Sequence, residues 1–405
     1  MKPKILFSTG LLLLGFALAG YALLPRPSLS RAVANQVVAS QVRAPQIDLA
    51  RVSTPENSSA NPTLANGSKS PMSTGSRRDV YAATAVGMFH PAAVGLPERV
   101  YVPDGRHNTV SVIDPKTFRI IVTYPVGSMP QHIVPSFDLK TLYVTNDVGD
   151  TLTPIDPRTG RPGSSIAVVA PYNLYFTPDG LNAIVVAETK RRLDFYDPHT
   201  WQLRSSLNVP CRGINHMDFS VDGRTILAAC EFSGDLLRID WQTRAVTGKL
   251  HIGGMPQDVR LAPEGKLFFV ADMRANGIYV IDLERMQKNI FIPTGKGTHG
   301  LYPSRDGTKF YISNRGEGSI SVMNVATREL EAKWWIPGGG SPDMGSVSAD
   351  GTQLWLSGRS NSEVYVFDTS TGKLEARIKV GSGPHGLTFF PQPGRYSLGH
   401  TGIYR

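Results

Sequence analysis

From about residue 99 onward the chain is written in short runs of β-branched and aromatic residues, each five or six long and each stopped by a polar residue. One series ends in Asp or Asn: SVIDP, TPIDP, DFYDP, LRIDW, YVIDL, SVMNV and YVFDT, with the acidic or amide position at Asp114, Asp156, Asp197, Asp240, Asp282, Asn324 and Asp368. The spacings are 42, 41, 43, 42, 42 and 44 residues. A second series precedes it in each unit: RVYVPD, LYVTND, IVVAET, LAACEF, FFVADM, FYISNR and LWLSGR. A third is the turn pair at Asp179-Gly180, Asp222-Gly223, Glu264-Gly265, Asp306-Gly307 and Asp350-Gly351. Three registers keeping one period define a repeat.

Each unit reads as four strands. The first leads into the Asp-Gly turn, whose residues tolerate positive φ and tighten a hairpin. The second is the LYVTN-like run and the third ends at the Asp. The fourth resembles KLEARIKV, residues 373–380, before a Gly-Pro loop. No amphipathic helix of useful length lies between them. A single four-stranded sheet cannot bury both faces, but radial stacking of about seven can. The expected fold is therefore all-β, a seven-bladed β-propeller of four-stranded antiparallel blades. Residues 99–126 supply only second, third and fourth strands, and Pro384 to Phe390 supplies an extra first strand, so one blade would close from both chain ends. Eight blades stay open as an alternative, because Arg395 to Gly402 reads as another second strand and Val80 to Thr84 as a further short one.

Composition agrees with this reading. Forty Gly and thirty Pro among 405 residues punctuate the chain too often for long helices. Two cysteines exclude a disulfide-rich scaffold, a four-cysteine zinc site and a cysteine-ligated iron–sulfur cluster. The net charge of +9 is uneven: nine basic and three acidic residues through Asp79 hold +6 of it, leaving +3 for the other 326 residues. A near-neutral body excludes nucleic acid as the expected partner.

The basic start is a targeting element. Lys2 and Lys4 precede an uncharged run from Ile5 to Leu24, closed by Pro25-Arg26. Ala17-Leu18-Ala19 offers a small-x-small cleavage site for a signal peptide, and the run also suffices for an uncleaved apolar helix anchored in the membrane. Both readings place the repeat domain outside the cytoplasm. The expected division is a signal peptide or membrane anchor over 1–25, a disordered Ser/Pro/Ala-rich tether over 26–78, and a propeller over 79–405.

Leu142-Tyr143-Val144-Thr145-Asn146, His385-Gly386-Leu387 and the repeated Asp-Gly turns resemble the YVTN-repeat β-propeller family over about residues 80–405. That family is similar in turn to lactonases and to the haem-binding domains of nitrite reductases. The resemblance implies a fold, and it leaves enzymes, cofactor binders and cell-surface proteins all open.

In such a disc the loops entering first strands and leaving second strands share one face around the central opening. The entering loops carry His132, Tyr172-Asn173, His216, Asp258, His299, Asp343 and His385. The Pro-His-Gly pattern of the family is matched at His385 and, with Thr298 replacing proline, at His299. A one-residue slip elsewhere would turn His132, His216 and Asp258 away from the channel. The second-strand ends add Asp104, Asn146, Glu188, Glu231, Asp272 and Asn314, with Arg106, Lys190-Arg191-Arg192, Arg274, Arg315 and Arg359 just beyond. An acidic inner ring inside a basic outer ring is a funnel for a small polar or anionic ligand, and histidines with carboxylates from different blades are also a metal- or haem-ligating set. The bland alternative is a water-filled polar channel whose Asp and Asn residues satisfy turn amides. The expected ligand-binding residues are His132, His216, Asp258, His299, Asp343, His385, Glu188, Glu231, Asp272, Arg315 and Arg359. No residue is singled out as catalytic, and no cofactor is named by the sequence.

Gly295-Lys296-Gly297-Thr298-His299-Gly300 matches G-x-G-x-x-G but enters a strand, so it reads as a loop between blades. Trp334-Trp335 reads as packing between blades rather than a sugar platform. Cys211 and Cys230 should reach the same face of one blade. A disulfide, two buried thiols, or soft ligands beside His216 are the three readings.

The functional expectation is an exported, noncatalytic, monomeric propeller binding a small polar molecule or an envelope protein through its polar face. The alternatives are an enzyme of lactonase-like or metal/haem-dependent type using the same funnel, and a structural envelope protein. Membrane contact is expected only through an uncleaved N-terminal segment.

Overall fold

The computed structural model describes residues 79–405; the expected leader (1–25) and tether (26–78) lie outside the described residues. Among the described residues no helix is long and apolar enough to cross a membrane. Seven antiparallel sheets follow one another around a ring. Six are consecutive in sequence. Their innermost strands are Pro130–Pro135, Asn173–Phe176, Ile214–Phe219, Pro256–Leu261, Thr298–Pro303 and Pro342–Val347, belonging to blades 2 to 7. Blade 1 is closed as the strand arithmetic requires. Thr388–Phe390 pairs with Arg99–Asp104 through Val100 opposite Phe389 and Tyr101 opposite Thr388, followed outward by Thr109–Asp114 and Arg119–Pro125.

The repeated polar residues earn their period locally. At the end of third strands the side chain folds back on the next turn: Asp114 Oδ1 accepts from the Lys116 amide at 2.9 Å, Asp240 from Gln242 and Thr243, and Asp368 from Ser370 and Thr371. Donors bound to a carboxylate favour its ionised form, and the Ser370 hydroxyl, then the Thr371 amide, lower the Asp368 pKa to about 2. The Asp-Gly turns are built on a second device. Ser220, Ser304 and Ser348 donate to Asp222, Asp306 and Asp350 and accept from the amide five residues on, while the glycine takes a positive φ of 69 to 80°.

Apolar side chains of adjacent blades interdigitate in separate clusters, such as Tyr302, Ile320, Leu354, Tyr365 and Phe367 between blades 6 and 7. Each such side chain, fully buried, contributes roughly 1.5–3 kcal/mol. Trp334 belongs to this packing, stacked on Phe367 at 6.1 Å, whereas Trp335 faces solvent beside Lys333. The G-x-G-x-x-G stretch leads into the strand Thr298–Pro303 and meets no helix.

Two sequence expectations are corrected. Val80 to Thr84 is not a strand: Ala82–Thr84 is one turn of 3-10 helix, docked on blade 5 by the Val80 amide to Pro263 and the Tyr81 hydroxyl to Leu261. Residues 395–402 do not begin an eighth blade. They fold back as a narrow hairpin, with Ser397 opposite Tyr404 and the Leu398 amide donating to Ile403. The hairpin enters the central channel from the Asp-Gly side. Its tip bonds to innermost strands of several blades: His400 amide to Leu174, Phe176 amide to Leu398, and the Ser346 and Thr388 hydroxyls to the Thr401 carbonyl. Gly399 can approach this closely only without a side chain, since a Cβ there would strike the Leu174 carbonyl and Tyr175 backbone.

Candidate functional site

Five of the nine histidines meet in the channel. His132 and His216 come from the innermost strands of blades 2 and 4, and His299 from that of blade 6. His385 comes from the loop entering the closing strand, and His400 from the hairpin tip. His132, His216 and Asp258 therefore face inward, against the possibility of a one-residue slip. Ring centroids lie 4.8 Å apart for His132 and His385, 4.8 Å for His216 and His400, and 6.0 Å for His299 and His385. Gly386 makes room for this, because a Cβ at that position would collide with the His132 ring.

The upper layer centres on Asp343. Its Oδ2 lies 2.8 Å from His385 Nδ1, and its Oδ1 lies 3.2 Å from both His299 Nδ1 and Arg315 Nη1. Arg359 Nη1 stands 3.6 Å from Oδ2. Burial opposes the charge of this carboxylate, but His299, His385 and Arg315 outweigh it and hold the Asp343 pKa well below the usual range. Tyr172 donates its hydroxyl toward His385 Nε2 at 3.4 Å, so His385 Nδ1 carries the proton given to Asp343. The two arginines are the outermost members, about 26% and 31% exposed, and thus line the mouth.

Glu188 and Glu231 also border the mouth. Burial, then the Glu231 and Asp147 charges, push the Glu188 pKa to about 8. Burial likewise raises Glu231, which lies near the amides of Asn215 and Gln257. With Glu188 protonated at neutral pH, the opening carries less negative charge beside the two arginines.

Deeper in the channel, His132 Nδ1 donates to the Tyr172 carbonyl at 2.8 Å, and Thr145 donates to the same oxygen. Burial lowers the pKa of His132 and His299 to about 4, and that of His216, His385 and His400 well below its usual value. All five are neutral at pH 7 and have lone pairs to offer. His132, His216 and His400 are close enough to share one ion, their ligand atoms lying within 4.8 Å of one another.

Other members of the expected rings serve the scaffold. Asp272 Oδ1 accepts from the amides of Met255, Arg274 and Ala275, so that oxygen shapes a turn, while its buried Oδ2 has no hydrogen-bond partner among the described residues. Asp104 is held by Ser111 and Thr109, Asn146 by Thr151 and Thr153, and Asn314 by Ser319 and Ser321. Asp258 lines the channel wall, but its oxygens bind the amides of Val259 and Leu301 and stand 3.5 Å from Arg260. Of the outer basic cluster, Arg191 reaches the Cys211 carbonyl and Arg192 pairs with Asp194. Cys211 and Cys230 form a disulfide within blade 4. A groove of about 750 Å³ lies elsewhere, beside Phe89 and Arg99, and none of the channel histidines borders it.

The sequence reading missed His400, Arg260 and the hairpin as a whole. Residues 395–405 follow the last repeat, so no periodic register located them.

The fold and channel define a seven-bladed β-propeller with a histidine-rich central funnel closed from one side by its own chain. A family model described as YNCE-like beta-propeller matches residues 80–393, and the chain belongs to that family. The hairpin bearing His400 lies beyond the matched residues. No curated protein matches the chain.

Solved structures share the fold at low identity. A functionally unknown protein from Desulfotomaculum acetoxidans DSM 771 is 18% identical, with a TM-score of 0.61 over 72% of this chain and 98% of that one. A putative 6-phosphogluconolactonase from Bacteroides uniformis ATCC 8492 is 17% identical, with a TM-score of 0.59 over 72% and 99%. The dihydro-heme d1 dehydrogenase NirN, in complex with DHE, is 16% identical, with a TM-score of 0.55 over 75% and 77%. These likenesses concern shape.

Proposed function

We propose that the protein is an extracytoplasmic, noncatalytic propeller that takes a small polar anion into the funnel mouth. The observation carrying this reading is the placement of Arg315 and Arg359 at the rim, tethered by buried Asp343, beside a Glu188 that keeps its proton at neutral pH. An anion replacing part of the Asp343 contact gains two guanidinium partners in a partly desolvated site. The Cys211–Cys230 disulfide and the basic, apolar N-terminus favour an oxidising compartment outside the cytoplasm.

The test is thermal denaturation against a panel of small carboxylates, phosphate and sulfate. A ligand should raise the midpoint in proportion to the logarithm of its concentration once above Kd, and R315A/R359A should abolish that rise. If no anion stabilises the wild type, the funnel reading fails and an envelope-protein partner becomes the leading alternative.

An enzyme is the second reading, favoured by the relay from Tyr172 through His385 to Asp343, which orients a neutral imidazole as general acid–base catalysts require. The putative lactonase among the similar structures makes lactones the first substrates to try. Hydrolysis lost in D343N at unchanged thermal stability would favour this reading over simple binding.

A further inference from the structure

We infer that His132, His216 and His400 bind a first-row divalent transition metal ion at the floor of the funnel, with the hairpin supplying one of its three protein ligands. The inference stands on the lower channel and is independent of the anion site above it. Three separated stretches of chain bring these rings together: the innermost strands of blades 2 and 4, and the loop Gly399 to Gly402. All three side chains are fully buried.

Their unmet hydrogen-bonding capacity is the second observation. Among the described residues His132 Nε2, both nitrogens of His216, and His400 Nε2 find no hydrogen-bond partner. A buried unpaired polar atom costs about 1–3 kcal/mol, and here several converge on one point. Edge-to-face packing of the rings recovers only about 0.5–1.5 kcal/mol per pair and satisfies none of the nitrogens. A shared metal ion satisfies one nitrogen of each ring together.

The surroundings suit a metal in detail. His132 gives its Nδ1–H to the Tyr172 carbonyl, which leaves the Nε2 lone pair facing the other rings. This outer hydrogen bond is how ligating histidines are commonly oriented. The His400 ring lies against Tyr175 at 6.0 Å. Asn173 Nδ2 donates to its Nδ1 at 3.1 Å, so the metal-free ring carries its proton on Nε2, 3.5 Å from Asp258 Oδ1, and coordination through Nε2 requires that proton to leave, with Asp258 as the acceptor at hand. The three ligand atoms are spread up to 4.8 Å, wider than the roughly 3.4 Å separation implied by tetrahedral bonds of about 2.0–2.1 Å. Loading therefore draws the rings together.

The donor set selects the ion. Three neutral imidazoles, with one carboxylate (Asp258) standing 3.5 Å from His400 Nε2, favour zinc, copper, nickel or cobalt over calcium or magnesium, which require several oxygen ligands. The His385 ring lies 4.8 Å from that of His132 and the His299 ring 6.3 Å from that of His216, and both of these outer histidines contact Asp343. A resident ion would tie blade 2, blade 4 and the hairpin into one unit. It would also place a Lewis-acidic centre beneath Asp343.

The experiment loads the full chain, freed of metal with a chelator, with Co²⁺ and then Zn²⁺. One Co²⁺ per chain should bind, giving the visible absorption of a four- or five-coordinate centre that Zn²⁺ displaces. Zn²⁺ should also raise the thermal midpoint. His216→Phe and His400→Phe should each lower affinity at least 100-fold, while His107→Ala and His199→Ala, on exposed residues, keep it. Failure of the folded wild type to retain a stoichiometric ion, or wild-type affinity in folded His216→Phe, overturns the inference. Should the Phe variants not fold, the Cu²⁺-loaded wild type decides it. Nitrogen superhyperfine structure from three imidazoles supports the triad, and an oxygen-dominated spectrum overturns it.

Discussion

Arg405 forms a buried ion pair with Asp218, its single Nη2 standing 2.7 Å and 2.9 Å from the two carboxylate oxygens across 187 residues of sequence. The same carboxylate accepts the amides of Phe219 and Leu261, so it joins blades 4 and 5 while anchoring the base of the hairpin. Tyr81 lies under the guanidinium at 5.2 Å and covers the pair.

Removing the cation should therefore be costly. Arg405→Ala strands a buried carboxylate, and a loss of about 3–5 kcal/mol in unfolding free energy is expected, measured by urea denaturation. Arg405→Lys should recover only part of it, because the shorter ammonium cannot also supply the Nη1 bond to the Tyr404 carbonyl or the planar group over Tyr81. If Arg405→Ala unfolds like the wild type, the hairpin is not held through this pair.

Acid should destabilise the propeller through its channel. His132 and His299 have folded pKa values of about 4, below the value of about 6.5 expected of the unfolded chain. Between those values the unfolded chain binds protons that the folded one refuses, so stability falls as pH drops from 6.5 to 4. Each ring accounts for about 3 kcal/mol over that window. Denaturant midpoints at pH 4.5 and 6.5 check this, and His299→Gln should flatten the slope.

Glu188 acts in the opposite direction. Its folded pKa of about 8 lies above that of the unfolded chain, so between roughly 4.5 and 8 the folded state keeps a proton that the unfolded state releases. Stability contributed by the neutral carboxyl is thus lost as pH rises through that window, on the order of 2 kcal/mol allowing for solvent at the mouth. Glu188→Gln, neutral throughout, should remove the decline in unfolding free energy measured between pH 6.5 and 8.5.

The disulfide ties the loop entering blade 4 to that blade's second strand, with a sequence separation of 19 between Cys211 and Cys230. Closing such a loop in the unfolded chain predicts that reduction costs about 3 kcal/mol. Equilibrium unfolding with and without a thiol reductant measures it, and Cys211→Ser/Cys230→Ser should be insensitive to reductant.

Much of this molecule is legible in one dimension because its fold is local and repeated. The Asp at each third-strand end and the Ser-x-Asp-Gly turns satisfy amides only two to five residues away, so their period of about 42 marks blade boundaries directly. Cys211 and Cys230 were likewise placed on one face by a single hairpin. Asp272 and Asn314 show the converse. As strand-end polar residues they read as funnel lining, yet Asp272 Oδ1 and the Asn314 amide are engaged by neighbouring amides or hydroxyls, a local role that spacing does not distinguish from a ligand group.

The sequence by itself determined the seven-fold repeat, the closure of blade 1 and the inward placement of His299, Asp343 and His385, because strand alternation and turn chemistry act over short distances. Only the tertiary structure decided that His132, His216 and His400 share one point, and that residues 395–405 plug the channel instead of starting a blade. Those outcomes depend on closing a ring of seven sheets, which sets the channel width and brings together residues more than 180 positions apart. No local pattern encodes that distance; it emerges from the packing of every blade on the next.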